Sequence, residues 1–380
     1  MRKVIRSLTI LAVLGSAAQA APFLAMGDSA EVFLTGTLGV RSDDNILLSS
    51  TKTSDTIFDI VPGLELLYGQ NALTKGKAYY QETISRYSDN NKLNTSLSSV
   101  GFDGNYDDQK TKMTFSTSYA QLAQNTVDTR PTAPPTGTKA DFIRRDVFHI
   151  EGGSEVSITD KTSVAGSVVY ENIDYKRTGF DSSKITSIPL NYYYYVLPKL
   201  AVSGGFTYRD TQLNDGGIGS KDYFYNVGAR GEFTPKLTGT FAIGYTQRKM
   251  DVGDNQNTLG LDSSLAYAID EKTSLQFGVT NDYGVSGTGQ SERNLTWSLG
   301  FQSKLAADWS VGSSLSYRSI AYLGVGARTD NYFEGSLNAI YTYSTVVNFT
   351  AGYTYRNNSS TLASSAFDNN VFSIAANIRY

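Results

Sequence analysis

His149 is the single histidine of a chain that has no cysteine. It lies in Val147-Phe148-His149-Ile150-Glu151, an alternating run that puts His149, Glu151 and Glu155 on one face. An imidazole beside carboxylates is the minimum equipment for general acid–base work. A Ser/His/acid centre also needs a presented nucleophile, and the chain has no G-x-S-x-G elbow and no phosphate-cradling P-loop. One His and no Cys would leave a zinc ion mostly to carboxylates. Asp43, Asp44 and Asn45, and Asn214-Asp215-Gly216-Gly217, carry oxygens of the kind Ca²⁺ accepts, but the same residues are ordinary loop formers. The expectation is no catalytic residue, no metal and no cofactor, with His149 a pore-lining or hydrogen-bonded wall residue.

A second set of charged residues is periodic. Arg209, Arg318 and Arg356 each follow a tyrosine by one position, and Arg248 follows Tyr245 by three. Those tyrosines belong to a repeat: Tyr170, Tyr208, Tyr245, Asn281, Tyr317 and Tyr355 recur every 36 to 38 residues. Each copy begins with a tight turn and then alternates. After Thr234-Pro235-Lys236, Leu237, Phe241, Ile243 and Tyr245 share one phase, with Thr238, Thr240, Ala242 and Gly244 in the other. Period-two alternation means a strand with two unlike faces, and a repeat of this kind governs the fold. The alternation predicts eighteen strands. The first nine are near 31-41, 58-68, 77-88, 94-106, 111-123, 142-158, 162-175, 184-196 and 200-211. The rest are near 221-233, 238-249, 257-268, 273-284, 291-304, 309-320, 329-342, 346-357 and 367-380. Run 77-88 alternates weakly. Pro189 removes a ladder donor, so its strand is expected to bulge or unpair locally.

The apolar faces lack apolar partners. Opposite each is a face of Ser, Thr, Asn and Gly, and Tyr and Phe gather at strand ends as interface girdles do. Eight steps separate the first apolar residue from its tyrosine. At about 3.3 Å per step and a tilt of some 40°, that spans roughly 20 Å, near the apolar band of an outer-membrane barrel. Turns of a few residues near 73, 108, 160, 198, 235, 271, 308 and 344 alternate with longer polar segments. The fold class expected is therefore all-β: a transmembrane antiparallel up-and-down barrel of eighteen strands, short turns periplasmic.

The N-terminus reads as a secretory signal. Arg2, Lys3 and Arg6 precede an apolar stretch from Leu8 to Gly15, and Ala18-Gln19-Ala20 is an A-x-A cleavage site. Residues 1–20 are the expected signal peptide and 21–380 the barrel; mass spectrometry of the mature protein should find Ala21 at its start. Formal net charge is -3 over the full sequence, and loss of those three cations makes the mature chain more acidic. That balance argues against nucleic acid, which wants a basic footprint.

Arg41-Ser42-Asp43-Asp44-Asn45, followed by Asp55-Thr56-Ile57-Phe58-Asp59-Ile60-Val61-Pro62-Gly63-Leu64, resembles the opening hairpin of the putative beta-barrel porin type 2 family. That family is also similar to barrels associated with exopolysaccharide export. The resemblance implies an outer-membrane barrel in a Gram-negative-type cell and leaves the solute open. The ending Phe372, Ile374, Ala376, Ile378 and Tyr380 resembles the signal read by outer-membrane assembly machinery.

With the apolar phase outward, Arg209, Arg230, Glu232, Arg248, Asp262, Glu292, Lys304, Arg318, Glu334 and Arg356 point inward. Mixed charges suit a wet channel, and a barrel of 16 to 18 strands leaves an aqueous one. Arg209, Arg318 and Arg356 are expected as a basic arc at the upper rim. The longest loop, Asn125 to Ala140, is stiffened by Pro131, Pro134 and Pro135. It resembles in position the constriction loop of general porins, with Arg130, Lys139 and Asp141 as eyelet candidates; an outward flap is the other reading. The function expected is passive diffusion of small hydrophilic solutes. The alternatives are the exit barrel of an exopolysaccharide export system and a closed structural or adhesion barrel. Expected partners are outer-membrane lipid and lipopolysaccharide, the assembly machinery through Phe372–Tyr380, and a second copy of the chain.

Overall fold

The computed structural model describes residues 21–380 except positions 28, 130–140, 215 and 325. A short strand, β1 (Leu24–Met26), precedes eighteen long ones. These are β2 (Ala30–Asp43), β3 (Asp55–Tyr68), β4 (Thr74–Tyr87), β5 (Thr95–Asp107), β6 (Thr111–Ala123) and β7 (Arg144–Thr159). Then come β8 (Thr162–Tyr175), β9 (Ser183–Leu197), β10 (Leu200–Leu213), β11 (Ser220–Thr234), β12 (Leu237–Met250) and β13 (Gln256–Ala268). The last six are β14 (Thr273–Val285), β15 (Ser291–Lys304), β16 (Trp309–Tyr322), β17 (Arg328–Thr342), β18 (Val347–Ser360) and β19 (Phe367–Arg379). Every strand pairs antiparallel with the next, and β19 pairs with β2, so the sheet closes into an eighteen-stranded barrel. All eighteen expected strands are present. The unexpected element is β1, which pairs with residues 30–32 of β2, below the stretch 35–43 that β19 covers. Three residues are too few to show alternation, and β1 exists because the stagger of a closed barrel leaves that edge open.

Phe372 and Ile374 on β19 and Val227 on β11 are about 60% exposed, as are many residues of their phase around the wall. Such a surface needs hydrocarbon against it. The opposite phase is polar and mostly covered: Thr207, Thr211, Asp222, Thr246, Arg248 and Thr350 are all buried. Turns of two to five residues, from 69–73 to 343–346, occupy the end that also holds both termini of the barrel. Longer connections lie at the other end. There Ile46, Leu47, Ile57, Tyr87, Leu93, Ala123 and Phe142 form an apolar cluster between the loops and β3–β6.

Pro189 acts as expected on one side only. Its β8 partner is missing between the pairs Gly166–Leu190 and Val169–Ser187, while pairing with β10 runs through Thr207–Pro189. Pro62 has the same effect on β3: pairing with β4 skips from Ile60–Ile84 to Gly63–Gln81. The register is unchanged across both gaps, so each is a local opening rather than a bulge. Run 77-88, despite weak alternation, is held in the continuous strand β4 by neighbours on both sides.

Candidate functional site

The inward charges are organised in rows set by strand register. Arg209, Asp222 and Arg248 stand directly opposite one another on β10, β11 and β12. Asp222 accepts from Arg209 Nε at 2.8 Å and from Arg248 Nε at 2.6 Å. Arg209 also reaches Asp282 on β14 at 2.7 Å. Arg248, 1% exposed, donates to the Gly284 carbonyl and to Ser291 Oγ, both at 2.7 Å. Glu334 and Arg356 are opposed on β17 and β18 and bond at 2.9 Å, with Tyr332 donating to the same carboxylate at 2.6 Å. Arg318 donates to Asn294 at 3.0 Å and pairs with Glu292 at 3.2 Å.

Lower in the barrel, Arg230 forks onto Glu155, donates to the Tyr195 hydroxyl at 3.1 Å, and lies 3.3 Å over the Tyr193 ring. Glu232 is engaged by Lys199 of the adjoining turn at 2.8 Å. Asp262 is opposite Thr280, and Lys304 opposite Ser310 at the end of β15. Burial of Arg209, Arg248, Arg318 and Arg356 is tolerable because each finds an opposite charge. The expected basic arc therefore carries its own counter-charges: Asp222 and Asp282 for Arg209, Glu292 for Arg318, Glu334 for Arg356.

The segment between β6 and β7 turns inward on both described flanks. After Asn125, which donates to the Leu47 carbonyl at 3.0 Å, a 3-10 turn (Val127–Thr129) reaches the far wall. Val127 is buried against Ile320 and Tyr322 of β16. Asp128 pairs with Arg318 at 2.7 Å, and its carbonyl accepts from Gly287 N at 2.8 Å. β16 is ten strands from β6 one way around the eighteen-stranded wall and eight the other, so residues 124–129 reach across the mouth as a bar. Asp181 N donates to the Gly287 carbonyl at 2.9 Å, tying the 176–182 loop to the same point. On the near side Phe142 packs into the apolar cluster, 5.6 Å from the Tyr87 ring. Asp141 caps Phe142 N at 2.8 Å and is exposed. Arg130 and Lys139 lie outside the described residues, as does most of the stretch expected to form the eyelet.

His149 lines the wall opposite Glu171 and Ser118, with Nε2 4.0 Å from Glu151. Among the described residues its Nδ1 has no hydrogen-bond partner.

Asp43, Asp44 and Asn45 form a clasp across the β2–β19 seam. Asp43 Oδ1 accepts from Asn369 Nδ2 at 2.6 Å and from Asn45 N at 2.8 Å. Asp44 accepts from Asn370 N at 2.7 Å and Nδ2 at 2.8 Å. Asn45 Nδ2 donates to the Asp368 and Ser49 carbonyls. Lys52 bridges Asp368 and Asp44, which push its ammonium pKa up to about 12. Arg41 pairs with Asp59 at 2.8 Å, and Asp55 caps the backbone of residues 88–90. The motif's acids are thus committed to closing and bracing the barrel.

A family model described as "Putative beta-barrel porin 2" matches residues 22–380. None of the curated proteins matches. Among solved structures, the outer membrane protein opdK from Pseudomonas aeruginosa is similar, with 8% identity and a TM-score of 0.46, over 92% of this chain and 99% of that one. OccAB4 from Acinetobacter baumannii has 11% identity and a TM-score of 0.47, over 96% and 100%. The FrpB iron transporter from Neisseria meningitidis has 11% identity and a TM-score of 0.46, over 85% of this chain; the match spans 62% of FrpB's own length.

Proposed function

Because the chain belongs to the putative beta-barrel porin 2 family, we propose that it is an outer-membrane channel through which small hydrophilic solutes diffuse passively. The observation that carries this reading is the wall itself. A closed barrel with an apolar outer face and an inner face of paired ions, hydroxyls and amides is built to hold water inside and lipid outside. Arg209, Arg230, Asp262, Lys304, Arg318, Glu334 and Arg356 are the proposed lining, backed by the buried Arg248 and Glu292, with Glu232 at the turn-side rim. Export begins with removal of residues 1–20, and the outward residues Phe372, Ile374, Ile378 and Tyr380 present the C-terminal strand to the assembly machinery.

Planar-bilayer recording of the purified protein tests the proposal. Steady ohmic steps in simple salt support it; a silent bilayer from correctly folded protein rejects it. Silence would favour a closed structural barrel, the second reading, which the bar from β6 to β16 supports.

Changing Arg209, Arg318 and Arg356 together to Ser removes three cations and leaves Asp222, Asp282, Glu292 and Glu334 without them. The reversal potential in a salt gradient should then shift toward cation selectivity. An unchanged reversal potential would show that these residues do not face the conducting path.

A further inference from the structure

Five consecutive hairpin turns at the short-turn rim each present one exposed lysine: Lys110, Lys161, Lys199, Lys236 and Lys272. Exposed apolar side chains stand within three residues of four of them: Met113, Ile158, Leu197 and Ile269. The next two turns, 305–308 and 343–346, contain no lysine, so the feature is an arc under β5–β14 rather than a ring. We infer that this arc is a docking surface for the phosphodiester headgroups of anionic diacyl phospholipid in the leaflet at the short-turn rim.

Acids are present in the same turns, and their positions matter. Asp108 accepts from Lys110 N at 2.8 Å, Thr111 N at 2.5 Å and the Tyr106 hydroxyl at 2.7 Å. Asp270 accepts from Lys272 N at 2.8 Å. These carboxylates are folded back onto the turn backbone. Asp107 faces Lys112 at 3.6 Å and Glu232 holds Lys199 at 2.8 Å, while Asp160 and Glu271 directly precede Lys161 and Lys272. Lys236 Nζ rests on the Ile269 carbonyl at 2.7 Å.

Among the described residues, Lys110, Lys161 and Lys272 have no ion pair. A lysine ammonium sits on a four-carbon stem and reaches beyond carboxylates folded onto the turn backbone, so Lys110, Lys161 and Lys272 can carry positive charge past their turns. A hydrophilic protein partner would not call for Ile158, Leu197 and Ile269 beside the ammonium groups. A bilayer interface does, because apolar side chains enter the acyl boundary while lysines meet phosphate.

The test uses the whole barrel purified in detergent with an equimolar mixture of phosphatidylglycerol and phosphatidylcholine, and counts retained lipids by native mass spectrometry. Wild type should retain phosphatidylglycerol preferentially. The variant K110Q/K161Q/K199Q/K236Q/K272Q should lose that preference by at least about tenfold, while the matching Lys→Arg variant keeps it. Equal retention of the two lipids by wild type overturns the inference, as does an undiminished preference in the Gln variant. Displacement of the lipid by inorganic phosphate at constant ionic strength would also overturn it, assigning the lysines to a free anion. Capture of an acidic protein without any lipid preference would do so too. The wild-type comparison stands even if the Gln variant fails to assemble.

Discussion

Val127→Ser combined with Asp128→Ala should release the bar and raise the current through single barrels. The bar is held at its far end by three contacts: Val127 against Ile320 and Tyr322, Asp128 with Arg318, and the Asp128 carbonyl on Gly287 N. Burying a valine side chain is worth about 1.5–3 kcal/mol. The Asp128–Arg318 pair is about a third exposed on the aspartate side, so it adds about 1 kcal/mol at most. The double change removes about 1.5–4 kcal/mol, on the order of tenfold to several hundredfold in the ratio of held to released segment. The backbone bond to Gly287 survives but is too little to hold the loop alone. Two readouts separate the terms: Asp128→Ala alone should act more strongly at low salt, where the ion pair is less screened, whereas Val127→Ser should act equally at all salt concentrations. If neither variant changes conductance or open probability, the bar does not stand in the solute path.

Much of this architecture was legible because a barrel wall writes itself into local sequence. Alternation along Leu237 to Tyr245 and the turn chemistry of Thr234-Pro235-Lys236 place β12 within a residue or two of its observed ends. The phase of Arg209, Arg248, Arg318 and Arg356 likewise follows from parity against the outward tyrosines. Their partners were harder. Asp222 lies opposite Arg209 only through the register fixed by the 214–219 loop, and Asp282 meets Arg209 from four strands away. Asp128 meets Arg318 across the mouth from a position 190 residues earlier in the chain, in a loop with no periodic signal. The roles of Asp43 and Asn45 were hidden for the same reason. Acids and amides in a loop resemble a cation site until the strand they clasp, β19, arrives from the other end of the chain.

That clasp should respond sharply to substitution. Asp43→Ala removes the acceptor for two donors at once, Asn369 Nδ2 and Asn45 N, and both asparagines are fully buried. Each buried donor left unsatisfied costs about 1–3 kcal/mol. The Asn369 amide retains a long contact to Asp44 at 3.4 Å, which offsets only part of its loss. The expected destabilisation is about 2–5 kcal/mol, seen as a lower temperature for the shift from folded to unfolded mobility on gels. Asn369→Ala alone should cost less, since Asp43 keeps Asn45 N. The double variant should fall short of the sum by about 1 kcal/mol or more, because the two side chains share one bond. Strictly additive losses would mean that Asp43 acts only within its own loop and adds nothing across the β2–β19 seam.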